Sequence, residues 1–181
     1  MKIEKTPLAD LYTIQPRIYK DDRGYFFESY NEDRFFSAIG LRPNFVQDNC
    51  SVSECGVIRG LHYQIDQPQG KLVRVTAGTI LDVVVDLRRS SSTFGNWFTI
   101  ELSSENNTAL WVPVGFAHGF LVVSDSARVH YKVTDFYNPN GERTIAWNDA
   151  RLGIVWPINR SPILSPKDRV GRSLDEADVF P

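Results

Sequence analysis

A short stretch of this chain carries an imidazole, a guanidinium and an ammonium among glycines. Arg59 precedes His62 by three residues and Lys71 follows it by nine, within the run 56–72. A histidine can accept a proton near neutral pH, and the two cations can hold an anion or a developing oxyanion. These residue types suit the removal of a proton next to a carbonyl on a negatively charged substrate. The structural alternative is a surface loop with solvated cations.

Two further residues could complete such a site, and each also has a structural interpretation. Tyr131 alternates with His130 in a predicted strand, so its ring is expected to point into the core and His130 to be structural. A buried phenol either donates a proton in catalysis or bonds to backbone. Asp168 lies three residues after Ser165, the position of a capping-box acid, and it could also orient a base histidine.

Two polar segments have the composition of a nucleotide site. Residues 21–28 combine arginine, aromatic rings and carboxylates, and residues 47–53 contribute amides and hydroxyls. Together with Arg59, such segments could bind phosphates through arginine forks and a base through aromatic rings. Each segment could equally be a strand with a polar edge.

A third motif indicates a fold and argues against a metal. Residues 113–118 read Pro-Val-Gly-Phe-Ala-His, which resembles the second half of the cupin metal signature. The first half should supply His-x-His and then a glutamate, but Gln64 follows His62 and Lys71 lies near the acid's position. A divalent metal would lack ligands and face an ammonium, so we predict neither a metal nor another cofactor.

The elements that must position these residues are predominantly strands. Apolar and polar residues alternate over 81–87, 98–102 and 129–133, and the first of these is expected to be a half-buried strand. Further strand candidates cover 71–76, 120–123 and 144–147. Short helices are expected after Asn31, ending at Gly40, and after Ser165, with a capping box at Ser173 and Glu176. Many short strands separated by turns predict a sandwich or jelly roll.

Length and composition exclude several classes of protein. With 181 residues the chain fits one domain, and a net charge of -2 gives no reason to expect binding to nucleic acid or a membrane surface. No apolar run is long enough to span a bilayer, and residues 1–10 lack the apolar region of a secretory signal. Two cysteines suggest reduced thiols in a cytoplasmic protein rather than a disulfide framework.

Several short motifs occur in a characteristic order between about Arg23 and Asp168. They are Asp22-Arg23-Gly24, Gln47-Asp48-Asn49, Arg59-Gly60-Leu61-His62-Tyr63-Gln64, Lys71-Leu72-Val73-Arg74-Val75, Asp86-Leu87-Arg88, Thr93-Phe94-Gly95, Pro113-Val114-Gly115-Phe116-Ala117-His118, Tyr131-Lys132, Trp147-Asn148-Asp149 and Lys167-Asp168. In this order they closely resemble the dTDP-4-dehydrorhamnose 3,5-epimerase family, a metal-free branch of the cupin superfamily.

The resemblance implies a fold and a reaction. The fold is an all-β cupin-type jelly-roll barrel with a few short peripheral helices, forming a single domain over 1–181 with its barrel core at about 45–157. The substrate is dTDP-4-dehydro-6-deoxy-glucose, which is epimerised at C3 and C5 to dTDP-4-dehydro-L-rhamnose in dTDP-L-rhamnose biosynthesis. His62 is the implied base, Asp168 orients it, Lys71 stabilises the enolate oxygen at C4, and Tyr131 reprotonates the opposite face.

The resemblance also implies how the nucleotide is held. Arg23 and Arg59 match the arginines that bind the diphosphate. The remaining binding residues implied are Glu28, Gln47 and Asn49 as polar contacts, Phe26 and Tyr137 as the aromatic pair around thymine, and His118 as a site-lining histidine of lesser role. In the family the N-terminal segment crosses to a partner subunit, so a homodimer is implied in which Arg23, Phe26 and Glu28 serve the other chain's site.

Four alternatives remain open at the level of sequence. A single-site 3- or 5-epimerase of a related dTDP-deoxysugar pathway would retain the same base and acid. A ketoisomerase on a cupin scaffold is less favoured, because the context of residues 59–64 and of Tyr131-Lys132 is that of the epimerases. A non-catalytic nucleotide-sugar-binding cupin is less favoured because His62, Lys71, Tyr131 and Asp168 occur together. A metal-dependent cupin oxygenase is the weakest alternative, since Gln64 replaces a ligand.

Overall fold

Thirteen strands, one α-helix and two 3₁₀ turns make up the computed structural model, which describes residues 1–181. The strands are β1 (Lys2–Lys5), β2 (Tyr12–Gln15), β3 (Ile18–Asp21), β4 (Gly24–Phe27), β5 (Gln47–Glu54), β6 (Ile58–Gln64), β7 (Lys71–Ala77), β8 (Thr79–Asp86), β9 (Trp97–Ser103), β10 (Ala109–Val112), β11 (Phe116–Val122), β12 (Ser126–Val133) and β13 (Glu142–Thr144). The helix α1 spans Glu32–Ile39, and the 3₁₀ turns span Asp168–Val170 and Leu174–Glu176.

The strands form two antiparallel sheets and a separate hairpin. The six-stranded sheet has the order β1-β2-β10-β7-β12-β5, the five-stranded sheet has the order β13-β6-β11-β8-β9, and β3 pairs only with β4. Sequence neighbours are distributed between the two sheets, as expected of a jelly roll. The prediction of an all-β jelly-roll fold with short peripheral helices is confirmed.

The space between the sheets is apolar at one end and polar at the other. The apolar part is a cluster of fourteen buried residues that includes Val73, Val84, Leu110 and Val129. Burial of each such side chain stabilises the fold by about 1.5–3 kcal/mol. The other end lies where β6, β7, β11 and β12 carry His62, Lys71, His118 and Tyr131, and it contains the cavity described below.

Strand β8 differs from its predicted half-buried state because both of its faces are covered. Ile80 and Val84 face the interior, whereas Val83 and Val85 join a second apolar cluster on the outer face of the five-stranded sheet. The C-terminal segment covers that outer face with Leu174, Val179 and Phe180 among others. Sequence alternation described the two faces of β8, but not the distant segment that buries the outer one.

The N-terminal strands belong to the six-stranded sheet, so the sandwich begins before the predicted core boundary near residue 45. Strand β2 pairs with both β1 and β10, and Leu8 and Leu11 are buried in the central cluster. Helix α1 covers the outer face of this sheet with Phe35, which packs on Trp111. Asn31 and Gly40 bound the helix as predicted, through a bond to Arg34 N–H and a left-handed backbone.

Three predicted elements are shorter than expected or displaced. The strand predicted over 144–147 is Glu142–Thr144, followed by a single bridge between Ile145 and Arg172. The helix predicted after Ser165 is one 3₁₀ turn at Asp168–Val170, and the capping box at Ser173 precedes another. None of the helices has the length and apolar character needed to cross a bilayer.

Candidate active site

A polar cavity of about 380 Å³ opens between the two sheets. Its walls include His62 and Arg59 from the five-stranded sheet and Lys71, Asn49 and Tyr131 from the six-stranded sheet. The side chains predicted to do chemistry are therefore gathered around one volume, although β6 and β12 are far apart in sequence. A cavity whose opposite walls carry a histidine and a tyrosine can hold a ring between two proton-transfer groups.

Close approach of β6 and β11 positions the two histidines of the cavity. His62 and His118 are directly opposite in the ladder, and the register shifts beyond His118. Gly60 has a φ of +117°, and a Cβ there would lie only 2.6 Å from the Gly119 Cα. A side chain at residue 60 would therefore push the strands apart, which explains why glycine precedes the Leu-His pair.

His62 is hydrogen-bonded to Asp168, which comes from residues 165–170, called the C-terminal turn below. The distance from His62 Nε2 to Asp168 Oδ1 is 2.5 Å, so Nδ1 is the ring nitrogen without a protein partner. Burial lowers the pKa of His62 below its ordinary value, helped by the positive charges of Lys167 and Lys71 and opposed by Asp168. At neutral pH the imidazole is therefore mainly unprotonated, which is the state a general base requires.

Asp168 has both of the roles considered from the sequence. Its Oδ2 accepts a hydrogen bond from Ser165 Oγ at 2.6 Å, and its own N–H donates to Ser165 Oγ at 3.2 Å. Burial opposes ionisation of this carboxyl, but the bonds from His62 and Ser165 outweigh it and lower its pKa. The cap-like turn thus holds a charged carboxylate against the histidine ring.

Lys71 lies at the start of β7 and is buried beside His62. Its Nζ donates to the His62 carbonyl oxygen at 3.1 Å. Burial lowers the pKa of Lys71 to about 8, so the ammonium is mostly retained at neutral pH. A protonated amine in a buried cavity can stabilise an oxyanion more strongly than it could in water.

Tyr131 points inward from β12, as the alternation predicted, and packs against the central apolar cluster. Burial raises the pKa of its phenol, partly offset by Arg59 and Lys167. The hydroxyl is therefore protonated at neutral pH and can act as a proton donor. The neighbouring His130 points away, with its Nε2 3.5 Å from Cys50 Sγ.

His118 forms a second histidine–carboxylate pair that the sequence did not reveal. Its Nε2 lies 2.8 Å from Asp82 Oδ2, and both side chains are buried. Asp82 points into the sandwich from β8, and its other oxygen, Oδ1, has no hydrogen-bond partner. No sequence motif marks Asp82, because in the pattern of β8 it occupies the polar half of an ordinary alternating strand.

The inward-facing side of β5 forms a polar track along one wall of the cavity. Gln47, Asn49 and Ser51 line the cavity, and Gln47 Nε2 donates to Asn49 Oδ1 at 2.8 Å. At the end of this track Arg59 Nε donates to Ser53 Oγ at 2.9 Å, which holds the guanidinium at the cavity wall. Amides next to an arginine suit a polar, anionic ligand.

Two charged residues at the cavity were missed from the sequence. Lys167 Nζ lies 2.6 Å from Glu142 Oε1, and Tyr137 donates to Glu142 Oε2 at 3.1 Å. This group joins the β12–β13 connection to the C-terminal turn next to His62. The Lys-Asp motif contained the available signal for Lys167, since Asp168 was already a candidate, whereas Glu142 had none.

Gln64, which replaces a metal ligand in the cupin signature, is bonded to backbone. Its Nε2 donates to the Gln67 and Phe136 carbonyls, and its Oε1 accepts from the Asn138 N–H. The side chain thus holds the segment that carries Tyr137 at the cavity. No group of three or more His, Cys, Asp or Glu side chains is arranged to hold a metal ion.

Three predicted binding residues lie outside the cavity of their own chain. Arg23, at the β3–β4 turn, is 89% exposed in its side chain and pairs with Asp21. Phe26 is 70% exposed, and Phe26 and Glu28 line a separate surface depression. Within one chain these residues therefore do not meet Arg59 or Tyr137.

The chain is similar to known proteins over its whole length. A family profile described as dTDP-4-dehydrorhamnose 3,5-epimerase matches residues 5–176. The dTDP-4-dehydrorhamnose 3,5-epimerase of Pseudomonas aeruginosa is 54% identical over 181 residues, covering 100% of both chains. The crystal structure of dTDP-4-dehydrorhamnose 3,5-epimerase from Elizabethkingia anophelis has a TM-score of 0.94 and 47% identity, covering 97% of each chain.

A ligand-bound relative is equally similar. The crystal structure of dTDP-6-deoxy-D-glucose-3,5-epimerase from Legionella pneumophila in complex with dTDP-4-keto-L-rhamnose has a TM-score of 0.94 and 47% identity. It covers 98% of this chain and 94% of that one. The family resemblance inferred from ordered motifs is confirmed, and the chain belongs to the dTDP-4-dehydrorhamnose 3,5-epimerase family.

Proposed function

We propose that this protein is an isomerase that epimerises C3 and C5 of dTDP-4-dehydro-6-deoxy-glucose, giving dTDP-4-dehydro-L-rhamnose for dTDP-L-rhamnose biosynthesis. The observation that carries the proposal is the presence of His62 and Tyr131 on opposite sheets of one cavity, with Lys71 beside His62. Inversion at carbon requires proton removal on one face and delivery on the other. Both substrate protons flank the C4 ketone, so one enolate-stabilising cation serves both.

Each epimerisation follows the same steps. His62 Nδ1 takes the proton from C3 or C5, and the electrons of the broken C–H bond move to the C4 oxygen as an enolate. The Lys71 ammonium stabilises that oxygen, and Tyr131 then donates its proton to the opposite face of the carbon. Exchange with water restores a neutral His62 and a protonated Tyr131. Preorganised charge at the oxygen contributes about 3–4 kcal/mol, by comparison with oxyanion-hole deletions.

The nucleotide is bound along the polar track and the exposed aromatic residues. Arg59 binds the diphosphate, Gln47 and Asn49 contact the nucleotide sugar, and Tyr137 stacks on the thymine. Lys167 lines the same cavity, and its positive charge acts on His62. These assignments are supported by the lining of one cavity by arginine, amides and an aromatic ring.

We further propose a homodimer in which each N-terminal segment completes the partner's site. The β3–β4 hairpin pairs with no other strand, and it exposes Tyr19, Tyr25 and Phe26. Exposed aromatic rings together on one hairpin are typical of a surface that is covered by a partner. The hairpin would bring Arg23, Phe26 and Glu28 to the diphosphate and thymine.

A complementation experiment tests this exchange. Arg23→Ala damages the hairpin and His62→Ala damages the cavity, so each homodimer is expected to have low activity. In a mixed dimer with exchanged hairpins, the intact cavity of one chain receives the intact hairpin of the other, and activity returns. Mixed dimers that stay as inactive as the parents would contradict the exchange, and light scattering after size exclusion measures the dimer itself.

Isotope exchange tests the reaction. Incubation with dTDP-4-dehydro-6-deoxy-glucose in deuterium oxide, against an enzyme-free control, should place deuterium at both C3 and C5. Label at one carbon only would indicate a single-site epimerase with the same mechanism. Absence of enzyme-dependent label would rule out both, and would favour a binding protein.

Tyr131→Phe separates abstraction from delivery. The substitution removes the phenolic proton and leaves His62 in place. The rate of net epimerisation should therefore fall by about 10²-fold, and the rate of isotope exchange should fall by less. The two rates are measured on one sample by mass spectrometry and by product analysis. Equal losses in both rates would contradict the assignment of Tyr131 as the acid.

We also propose that the enzyme acts in the cytoplasm, because its diphosphate-bearing substrate does not cross a bilayer unaided. The test is fractionation of the producing cells, with the activity expected in the cytoplasmic fraction. Recovery of the activity from another compartment would contradict this localisation.

A further inference from the structure

The buried ammonium of Lys71 has no counter-charge among the residues of the proposed reaction. Its ammonium is buried, and its hydrogen bond goes to the neutral His62 carbonyl. It forms no ion pair with any carboxylate. A buried cation without a counter-charge tends to lose its proton, and a neutral Lys71 could not stabilise an enolate.

Charged and titratable groups surround this ammonium from every neighbouring element. They are Arg59 and His62 on β6, Asp82 on β8, His118 on β11, Tyr131 on β12, Glu142 on β13, and Lys167 and Asp168 in the C-terminal turn. The carboxylates among them are the candidates for its counter-charge.

Two of the three carboxylates are hydrogen-bonded through both oxygens to groups other than Lys71. Glu142 binds Lys167 at 2.6 Å and accepts from Tyr137. Asp168 binds His62 through one oxygen and Ser165 through the other. Their negative charges are therefore largely matched by groups other than Lys71.

Asp82 is the carboxylate with an uncommitted oxygen. His118 occupies its Oδ2, while its buried Oδ1 has no partner. Burial raises the pKa of Asp82, and the neighbouring His118 and Lys71 oppose that rise. Of the charges around Lys71, that of Asp82 raises the pKa of Lys71 most, ahead of Glu142.

We infer that Asp82 is the counter-charge that keeps Lys71 protonated in the active cavity. Asp82 is a positioning residue, because it acts through Lys71 and His118 and does not line the cavity. The inference deepens the proposed function and rests on it for its catalytic consequence. The charge coupling between Asp82 and Lys71 is a property of the free enzyme.

The first test measures the Lys71 ammonium directly, without substrate. Lysine labelled with carbon-13 at Cε is titrated by NMR, and the Lys71 signal is assigned through Lys71→Arg. Removing a negative charge disfavours the cation, so Asp82→Asn should lower the Lys71 pKa by about one or more. As a matched control, Asp149→Asn neutralises another buried carboxylate, which binds the Leu152 and Leu174 N–H groups, and should leave Lys71 unchanged.

The reciprocal measurement avoids dependence on the folding of Asp82→Asn. Coupling between two sites is mutual, so Lys71→Met should raise the Asp82 pKa, read from carbon-13-labelled aspartate carboxyls. Methionine fills a similar buried volume without a charge. An Asp82 pKa that is equal in wild type and Lys71→Met overturns the inference, as does an unchanged Lys71 pKa in folded Asp82→Asn.

The pH dependence of kcat in Asp82→Asn tests the effect on catalysis. If the Lys71 pKa falls from about 8 to about 7, Asp82→Asn loses about fivefold in kcat at pH 8 and almost nothing at pH 6. A purely structural defect would lower kcat equally at both values, which would overturn the catalytic consequence. If wild type shows no isotope exchange, the proposed reaction fails, and the two titrations still decide the coupling.

Discussion

The two histidine–carboxylate pairs of this molecule have the same chemistry and different surroundings. The His62 side chain is 23% exposed, and both oxygens of its partner Asp168 are hydrogen-bonded. The His118 side chain is 9% exposed, and its partner Asp82 retains one oxygen without a partner. Lys71 faces the two histidines from the opposite sheet and lines the same cavity.

The difference shows that a histidine–carboxylate pair does not define a role by itself. When both carboxylate oxygens are hydrogen-bonded, as in Asp168, the carboxylate orients its histidine and its charge acts mainly on that ring. This arrangement suits a histidine that accepts protons at the cavity. A carboxylate with a free oxygen retains charge for a second cation, which suits a deeper electrostatic role. We therefore assign proton abstraction to His62 and charge balance at Lys71 to Asp82.

The largest difference between the two pairs is expected when each histidine is replaced by asparagine. His62→Asn removes the proposed base and should lower isotope exchange at C3 and C5 by about 10²–10⁴-fold. His118→Asn keeps an N–H for Asp82 and should cost no more than about tenfold, the scale of one typical hydrogen bond. Exchange is measured by mass spectrometry at matched enzyme concentration, and comparable losses in the two variants would contradict the division of roles.

Neutralising the orienting carboxylate should have the next largest effect. Asp168→Asn removes the charge that fixes the ring of His62, so exchange should fall by at least about 10²-fold. Because Asp168 raises the His62 pKa, its loss should also move the acid limb of kcat/KM to lower pH. An acid limb that stays in place would indicate that Asp168 stabilises the turn without acting on His62.

The pH profile of the wild type tests the roles of His62 and Lys71 separately. Beyond the pKa of each group, kcat/KM should fall about tenfold per pH unit. The pKa of His62 is lowered by burial, so kcat/KM should fall on acidification only below about pH 6.5. Lys71 loses its proton near pH 8, where burial has lowered its pKa, so the alkaline limb should begin there. An alkaline limb above pH 10 would transfer that role to Tyr131.

The smallest effect is expected from removing the Ser165 hydroxyl, which donates a hydrogen bond to Asp168. Ser165→Ala removes one hydrogen bond to the carboxylate and should lower kcat by about two- to tenfold. Ser173→Ala is a matched control, because Ser173 Oγ makes a similar bond to the Glu176 carboxylate on the surface. Steady-state rates compare the variants, and an equal effect at Ser173 would point to loss of general stability.

Sequence reasoning was most successful where a local pattern carries the information. Alternation predicted that Tyr131 points inward and His130 outward, and short motifs selected His62 and Lys71, which line the same cavity as Tyr131. Caps at Asn31 and Gly40 marked the ends of α1. These features depend on neighbours within a few residues, so they can be predicted from the chain alone.

The residues that were missed depend on contacts between distant elements. Asp82 gains its partner from β11, and Glu142 gains Lys167 from the C-terminal turn. The outer face of β8 is buried by the C-terminal segment and not by its own sequence neighbours. No local pattern reports such contacts, because the packing of the two sheets creates them.

The sequence by itself determined the strand-rich architecture, the family and the chemically competent residues of the cavity. Side-chain type and strand alternation are local properties, and they decide which groups share one face of a strand. Only the tertiary structure decided which carboxylate acts on which basic side chain, because burial and distance set the energy of each charge. His62 is bonded to Asp168, and Lys71 is influenced by the charge of Asp82, only because the two sheets and the C-terminal turn meet around one cavity.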